Sequence, residues 1–93
     1  MITWAPDAKR DLREAWSHIA VDNERYADRL VELLTAASER LLRFPALGRK
    51  GLYDGTREFH VPRTRYFLVY RARADGIEIA RVMHTSRQWP PEG

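Results

Sequence analysis

Cysteine is absent from this chain of 93 residues, which removes disulfides and thiolate metal sites together and fits a reducing cytoplasm. No apolar run approaches the length that spans a bilayer. No basic stretch precedes an apolar core near Met1 either, so neither a membrane anchor nor a signal peptide is expected. Histidine is scarce: His18, His60 and His84 stand far apart, in no HxH or HExxH spacing, and no metal or cofactor is expected. Gly48, Gly51 and Gly55 fit no phosphate-loop spacing, and Ser17, Ser38 and Ser86 assemble no Ser/His/Asp triad. Repeats, low-complexity tracts and linkers are missing too. What survives is a single cytoplasmic domain over residues 1–93, with no membrane partner.

The composition that remains is that of a folded protein. Apolar residues make up 44% and aromatics 11%, enough for a compact core and against disorder. The net charge of +3 is unevenly spread. Residues 1–48 carry seven Lys/Arg against eight Asp/Glu, for −1, whereas residues 49–93 carry nine against five, for +4. The second half either presents a solvated basic face or meets something acidic: RNA, DNA or an acidic protein segment.

Local patterns predict the elements. Ile2-Thr3-Trp4 reads as a short strand, and Pro6 suits the first position of a helix, where its missing N–H costs nothing. Ala8, Leu12, Ala15, Trp16 and Ile19 recur at helical spacing, with Lys9, Arg10, Arg13 and Glu14 on the other side. Ala5 is a poor N-cap, so this helix must rely on tertiary packing. Asp22-Asn23 ends it and caps the next, whose stripe runs Tyr26, Leu30, Leu33, Leu34, Ala37, Leu41, Phe44 until Pro45 stops it. So short a link predicts an antiparallel helical hairpin. Residues 45–55 read as a loop, 56–61 as a strand ended by Pro62, and 65–73 with 77–84 as a closing hairpin.

That order, β-α-α-β-β-β, predicts an α+β fold: a helical hairpin packed on one face of a small, mainly antiparallel sheet, with the opposite face uncovered. Trp4 and Trp16 are expected between sheet and helices. The closing hairpin turns at Asp75-Gly76, a dipeptide suited to a type I′ turn. Residues 66–70 are nearly all aromatic or branched, so that strand should be covered on much of both faces. Around it stand Arg63, Arg65, Arg71, Arg73, Arg81 and Arg87, with Arg57 on the preceding strand. Arginine is costly to bury unpaired, so these side chains are expected to face solvent or a partner. Trp89, ahead of Pro90-Pro91, either folds back as a lid or sits in an interface.

Five segments in order carry a resemblance: ITWAPDAKRDL at 2–12, FPALGRKG at 44–51, GTREFHV at 55–61, YFLVYRA at 66–72 and IEIARVMHTSRQWP at 77–90. Together they resemble the RelE/ParE superfamily of bacterial toxins from type II toxin–antitoxin modules, and more closely its ParE branch. The resemblance implies a toxin held inactive by a cognate antitoxin, an acidic protein that folds on binding. RelE-type members cleave messenger RNA on the ribosome, whereas ParE-type members inhibit DNA gyrase. A third reading is a non-toxic member that only binds antitoxin.

RelE-type cleavage uses basic and acid–base residues on the open sheet face, one of them an arginine just before the LVY of the third main strand. Here that place is Phe67, which cannot clamp a phosphate, so the resemblance implies a ParE-like inhibitor that acts by binding gyrase. In the ribonuclease alternative, His84 would be the acid–base group, with Arg65 and Arg71 as displaced cations. Against that stands the plainer reading of His84 as a strand-end histidine that hydrogen-bonds locally. Tyr53, Tyr66 and Tyr70 read as core or rim. The candidate antitoxin- or target-binding surface comprises Arg57, Arg65, Phe67, Arg71, Arg73, Arg81, His84, Arg87 and Trp89.

Overall fold

A computed structural model describes residues 1–87 and Trp89. The expected Pro90-Pro91 pair lies outside the described residues. The elements run β1 (Ile2–Trp4), α1 (Pro6–Ala20), α2 (Glu24–Arg43), β2 (Arg49–Lys50), β3 (Arg57–His60), β4 (Tyr66–Arg73) and β5 (Gly76–His84). They form one sheet in the order β1-β5-β4-β3-β2, with β1 parallel to β5 and every other pair antiparallel. Both helices pack on one face of it, as the apolar spacing predicts. The expected order lacks one element, since the loop over 45–55 contains β2. Two exposed basic residues carry no apolar alternation, and only their pairing to Arg57 and Glu58 makes them a strand.

The helix ends follow local chemistry. Ala5 offers α1 no side-chain cap, and Pro6 opens it. The Asn23 side chain caps α2 by accepting from the Tyr26 N–H at 3.0 Å. Ala27, Leu30, Leu34, Ala37 and Leu41 face the sheet, while Tyr26 and Phe44, at the two ends of the predicted stripe, are exposed. Trp4 packs against the core as expected. Trp16 does not sit between sheet and helices; its indole N–H donates to Asp28 on α2 at 2.8 Å.

β4 directs Tyr66, Leu68 and Tyr70 into the core, together with Ile77, Ile79 and Val82 of β5. Odd residues of β5 face the helices at Ile77 and Ile79, yet the even residue Val82 does so farther on. A β-bulge makes the switch, because Val69 pairs with Arg81 while Tyr70 pairs with Ile79, leaving Ala80 extra. Without it, period-two alternation would drive Arg81 into the apolar core.

The closing turn differs from the expected one. Arg73 pairs with Gly76, so the turn residues are Ala74 and Asp75. Among the described residues positive φ falls on Arg63, Gly55 and Gly76. Gly76 has φ 150° because β1 comes in beside it: a Cβ there would collide with the Met1 carbonyl oxygen. Gly76→Ala is therefore expected to cost about 1–3 kcal/mol, measured by urea unfolding. A stability equal to wild type would show that the N-terminal strand yields freely.

Candidate functional site

The face of the sheet turned away from the helices is built from alternate residues: Phe67, Val69 and Arg71 of β4, Glu58 and His60 of β3, and Glu78 and Met83 of β5. His60, Phe67 and Met83 lie side by side across three strands, and Arg71 is opposite Glu78. This face is not uncovered as expected. Val69 and Met83 are each only 2% exposed. Tyr53, from the loop after β2, meets Trp89 edge-to-face at 5.7 Å, and the Arg81 guanidinium lies 5.5 Å from the Trp89 ring centre. With Val69, Arg71 and Glu78 these side chains line a cleft of about 430 Å³. Trp89 is thus the lid of the two predicted alternatives, and Tyr53 is its partner.

The arginines are less available than their number suggests. Arg73 and Arg71 both reach Glu78, at 2.7 and 3.7 Å. Arg49, 80% exposed, reaches the buried Glu58 carboxylate at 2.9 Å, while Glu58 Oε2 has no partner among the described residues. Arg57 donates to the Gly48 carbonyl at 2.8 Å and so holds the loop before β2. Arg65 and Arg87 are exposed. The pairs of Arg71 and Arg73 with Glu78, whose guanidinium ends are largely exposed, contribute about 0–1 kcal/mol each, so they orient charge more than they stabilise.

Arg81 belongs to a different class. Its Nε and Nη2 donate to the two Asp11 oxygens at 2.7 and 3.0 Å, and the Val82 N–H donates to Asp11 at 2.9 Å. The hydrogen bonds to Asp11 hold the guanidinium pKa above its ordinary value, against the lowering effect of burial. This residue, expected to face solvent or a partner, instead locks the bulge to α1. Asp11 was legible: it sits between Ala8 and Ala15 on the buried side of α1, where an acid needs a cation.

The pleat separates the residues of the ribonuclease alternative. His84 pairs with Tyr66, on the helix side of the sheet, whereas Phe67 and Arg71 lie on the other side. His84 bonds locally through Nδ1, 2.7 Å from Ser86 Oγ, and stacks edge-to-face on Tyr66 at 5.1 Å. A cleft of about 460 Å³ beside it is lined by Glu14, His18, Tyr66, His84 and Arg87. Burial raises the Tyr66 phenol above its ordinary pKa; Tyr26 adds to this and Arg87 opposes it. His60 lies 2.9 Å from the Thr64 carbonyl and braces the turn before β4. Among the described residues no three His, Cys, Asp or Glu side chains gather as metal ligands, and no helix is long and apolar enough to cross a membrane.

The sequence profile of the family described as "ParE toxin of type II toxin-antitoxin system, parDE" matches residues 2–89. The chain belongs to this ParE toxin family. A protein of Sinorhizobium fredii (strain NBRC 101917 / NGR234), named as the candidate toxin Y4kP, is 37% identical over 89 residues, covering 96% of this chain and 92% of its own. Among solved structures, a chain of the chromosomal ParDE system from P. aeruginosa superposes with a TM-score of 0.79 at 21% identity, over 89% of this chain and 92% of that one. At that identity the likeness concerns the fold, and it is the ParE-like arrangement of two helices on a five-stranded sheet.

Proposed function

We propose that this ParE-family toxin acts in the cytoplasm by binding DNA gyrase, without chemistry of its own, and that a cognate antitoxin with an acidic segment neutralises it. One observation carries the choice of binding over cleavage. Phe67 stands on the outer sheet face near the start of β4, and the arginines farther along the sheet, Arg71, Arg73 and Arg81, are each held by a carboxylate of the same chain. Cleaving an RNA phosphodiester builds charge on phosphate oxygens, and lacking one well-placed donor costs about 10²–10³ in rate. A gyrase inhibitor needs only a surface.

Purified protein is expected to leave messenger RNA intact on translating ribosomes while lowering gyrase supercoiling of relaxed plasmid. Inducing it alone should lower colony counts, and co-expression of the adjacent small open reading frame should restore them. The cleft holding His18, Tyr66, His84 and Arg87 gives the ribonuclease reading its one foothold. Codon-specific cuts abolished by His84→Ala would establish that reading in place of this one.

A further inference from the structure

On the outer sheet face Glu58 pairs directly with Val69, and His60 with Phe67. Glu58 and Phe67 are therefore diagonal neighbours, about 7–8 Å apart at the backbone and within reach of a long side chain. Both line a cleft of about 480 Å³, with Leu47, Arg49, His60 and Thr85 around it. A strand position covered to this degree ordinarily holds an apolar residue, as Val69 does across the ladder. Here it holds an acid whose side chain is 6% exposed and only half satisfied. Arg49 Nη2 donates to Oε1 at 2.9 Å, and Oε2 has no hydrogen-bond partner among the described residues. A buried carboxylate oxygen without a donor costs free energy that a donor recovers.

The chain itself does not meet that demand. Arg57 is committed to the Gly48 carbonyl, Arg71 lies against Glu78, and His60 Nε2 is 2.9 Å from the Thr64 carbonyl. Arg49, the one cation on Glu58 among the described residues, is 80% exposed and sits on a two-residue strand at the sheet edge. An exposed side chain of this kind changes rotamer within nanoseconds, so its place on the carboxylate is open to exchange.

We propose that the cleft between Glu58 and Phe67 receives an arginine side chain of a partner protein, whose guanidinium takes the Glu58 carboxylate in exchange for Arg49. Resting on the gyrase reading above, that arginine belongs to gyrase, and the cleft is the anchor of the surface the reading requires. A guanidinium is planar, weakly hydrated and able to offer parallel N–H groups to both oxygens, which a lysine ammonium is not. Its flat face suits the Phe67 ring, and its aliphatic stem suits Leu47, which is 40% exposed at the rim. An acidic segment brings the wrong charge to Glu58. A nucleic acid offers base amino groups to a carboxylate, yet carries phosphates that the same acid repels.

The test uses the full chain in two arms. In the first, N-acetyl-arginine methyl ester followed by NMR should shift the amide signals of Leu47, Phe67 and Thr85, and the neutral isostere N-acetyl-citrulline methyl ester should leave them in place. In the second, Leu47→Lys sets a cation at the exposed rim. Its unfolding midpoint should match wild type, while the concentration that halves gyrase supercoiling rises at least about tenfold. Glu58→Gln, which keeps the shape and removes the charge, should show the same loss of inhibition. An arginine probe that moves these signals no more than citrulline does overturns the site, and inhibition by the wild-type chain would still leave the gyrase reading standing. Full inhibition by both variants overturns the anchor role. Failure of the wild-type chain to inhibit gyrase removes the gyrase reading and this inference with it. Cytidine monophosphate shifting the same signals at lower concentration than the arginine probe would give the cleft to a nucleic acid and overturn the assignment.

Discussion

Replacing Asp11 with alanine is expected to lower the unfolding free energy by about 3–5 kcal/mol, the usual result of stripping one partner from a buried ion pair. The Asp11 side chain is 6% exposed and accepts three hydrogen bonds, two from Arg81 and one from the Val82 backbone. Its removal takes both hydrogen bonds from the guanidinium and leaves the buried Val82 N–H at the bulge without its acceptor. Asp7→Ala is the internal control, since the Asp7–Arg10 pair is more than half exposed on both sides and should matter by less than about 1 kcal/mol. Urea unfolding of the two variants separates them. If Asp11→Ala unfolds within about 1 kcal/mol of wild type, the clamp is not what fixes α1 to β5. For a domain with only 5–15 kcal/mol in hand by general experience, the larger loss would be felt as low abundance. Toxicity tests of Arg81 variants must therefore be corrected for folding before they are read as contact effects.

Why the arginines misled and the helices did not is a matter of range. The stripe of α2, the Pro6 start and the Asn23 cap are decided within one or two turns, and each lies in the structure where local chemistry places it. Pairing partners such as Asp11 for Arg81 lie 70 residues apart, and only the sheet topology brings them together. One clue was nevertheless local. In the stretch of residues 77–84, IEIARVMH, the apolar alternation changes parity between Ile79 and Val82, which is the signature of a bulge. Read that way, Arg81 sits at the irregularity and needs an acid, and Asp11 is the acid on the buried stripe of α1.

The covering of the outer face was half legible. A strand as apolar as residues 66–70 demands cover on both sides, and Trp89 was one of two candidates to supply it. Tyr53 gave no signal, because it lies in a glycine-bearing loop whose path depends on β2. Gly76 shows the same limit: the dipeptide Asp75-Gly76 suits a turn, yet the glycine is needed where β1 closes in from the far end of the chain.

Tyr70→Phe should destabilise the domain by about 2–4 kcal/mol, the loss expected when a buried N–H and a half-buried carbonyl lose their partner. The Tyr70 ring is fully buried; its hydroxyl donates to the Pro45 carbonyl at 2.7 Å and accepts from the Gly48 N–H at 2.9 Å. That one oxygen ties the end of α2 to the start of β2, and with it the loop that carries Leu47 and Arg49 beside Phe67. Gly48 has no room to adapt, because a Cβ there would press on the Tyr70 ring. Burial also raises the Tyr70 phenol above its ordinary pKa, with the Gly48 N–H and Arg57 opposing. For a group raised in the folded state, the stabilisation is complete below the unfolded value, about pH 10, and is lost as pH climbs through the folded one. Tyr66, raised as well, acts in the same direction. Wild-type stability should therefore hold level through neutral pH and fall above about pH 10, and the fall should be shallower in Tyr70→Phe, which has one buried phenol fewer to ionise. Unfolding midpoints at pH 7 and above pH 10 test both parts. An unchanged midpoint at neutral pH would mean that the loop at residues 45–48 holds its place without this hydroxyl, and an equal alkaline slope would assign the pH response to other groups.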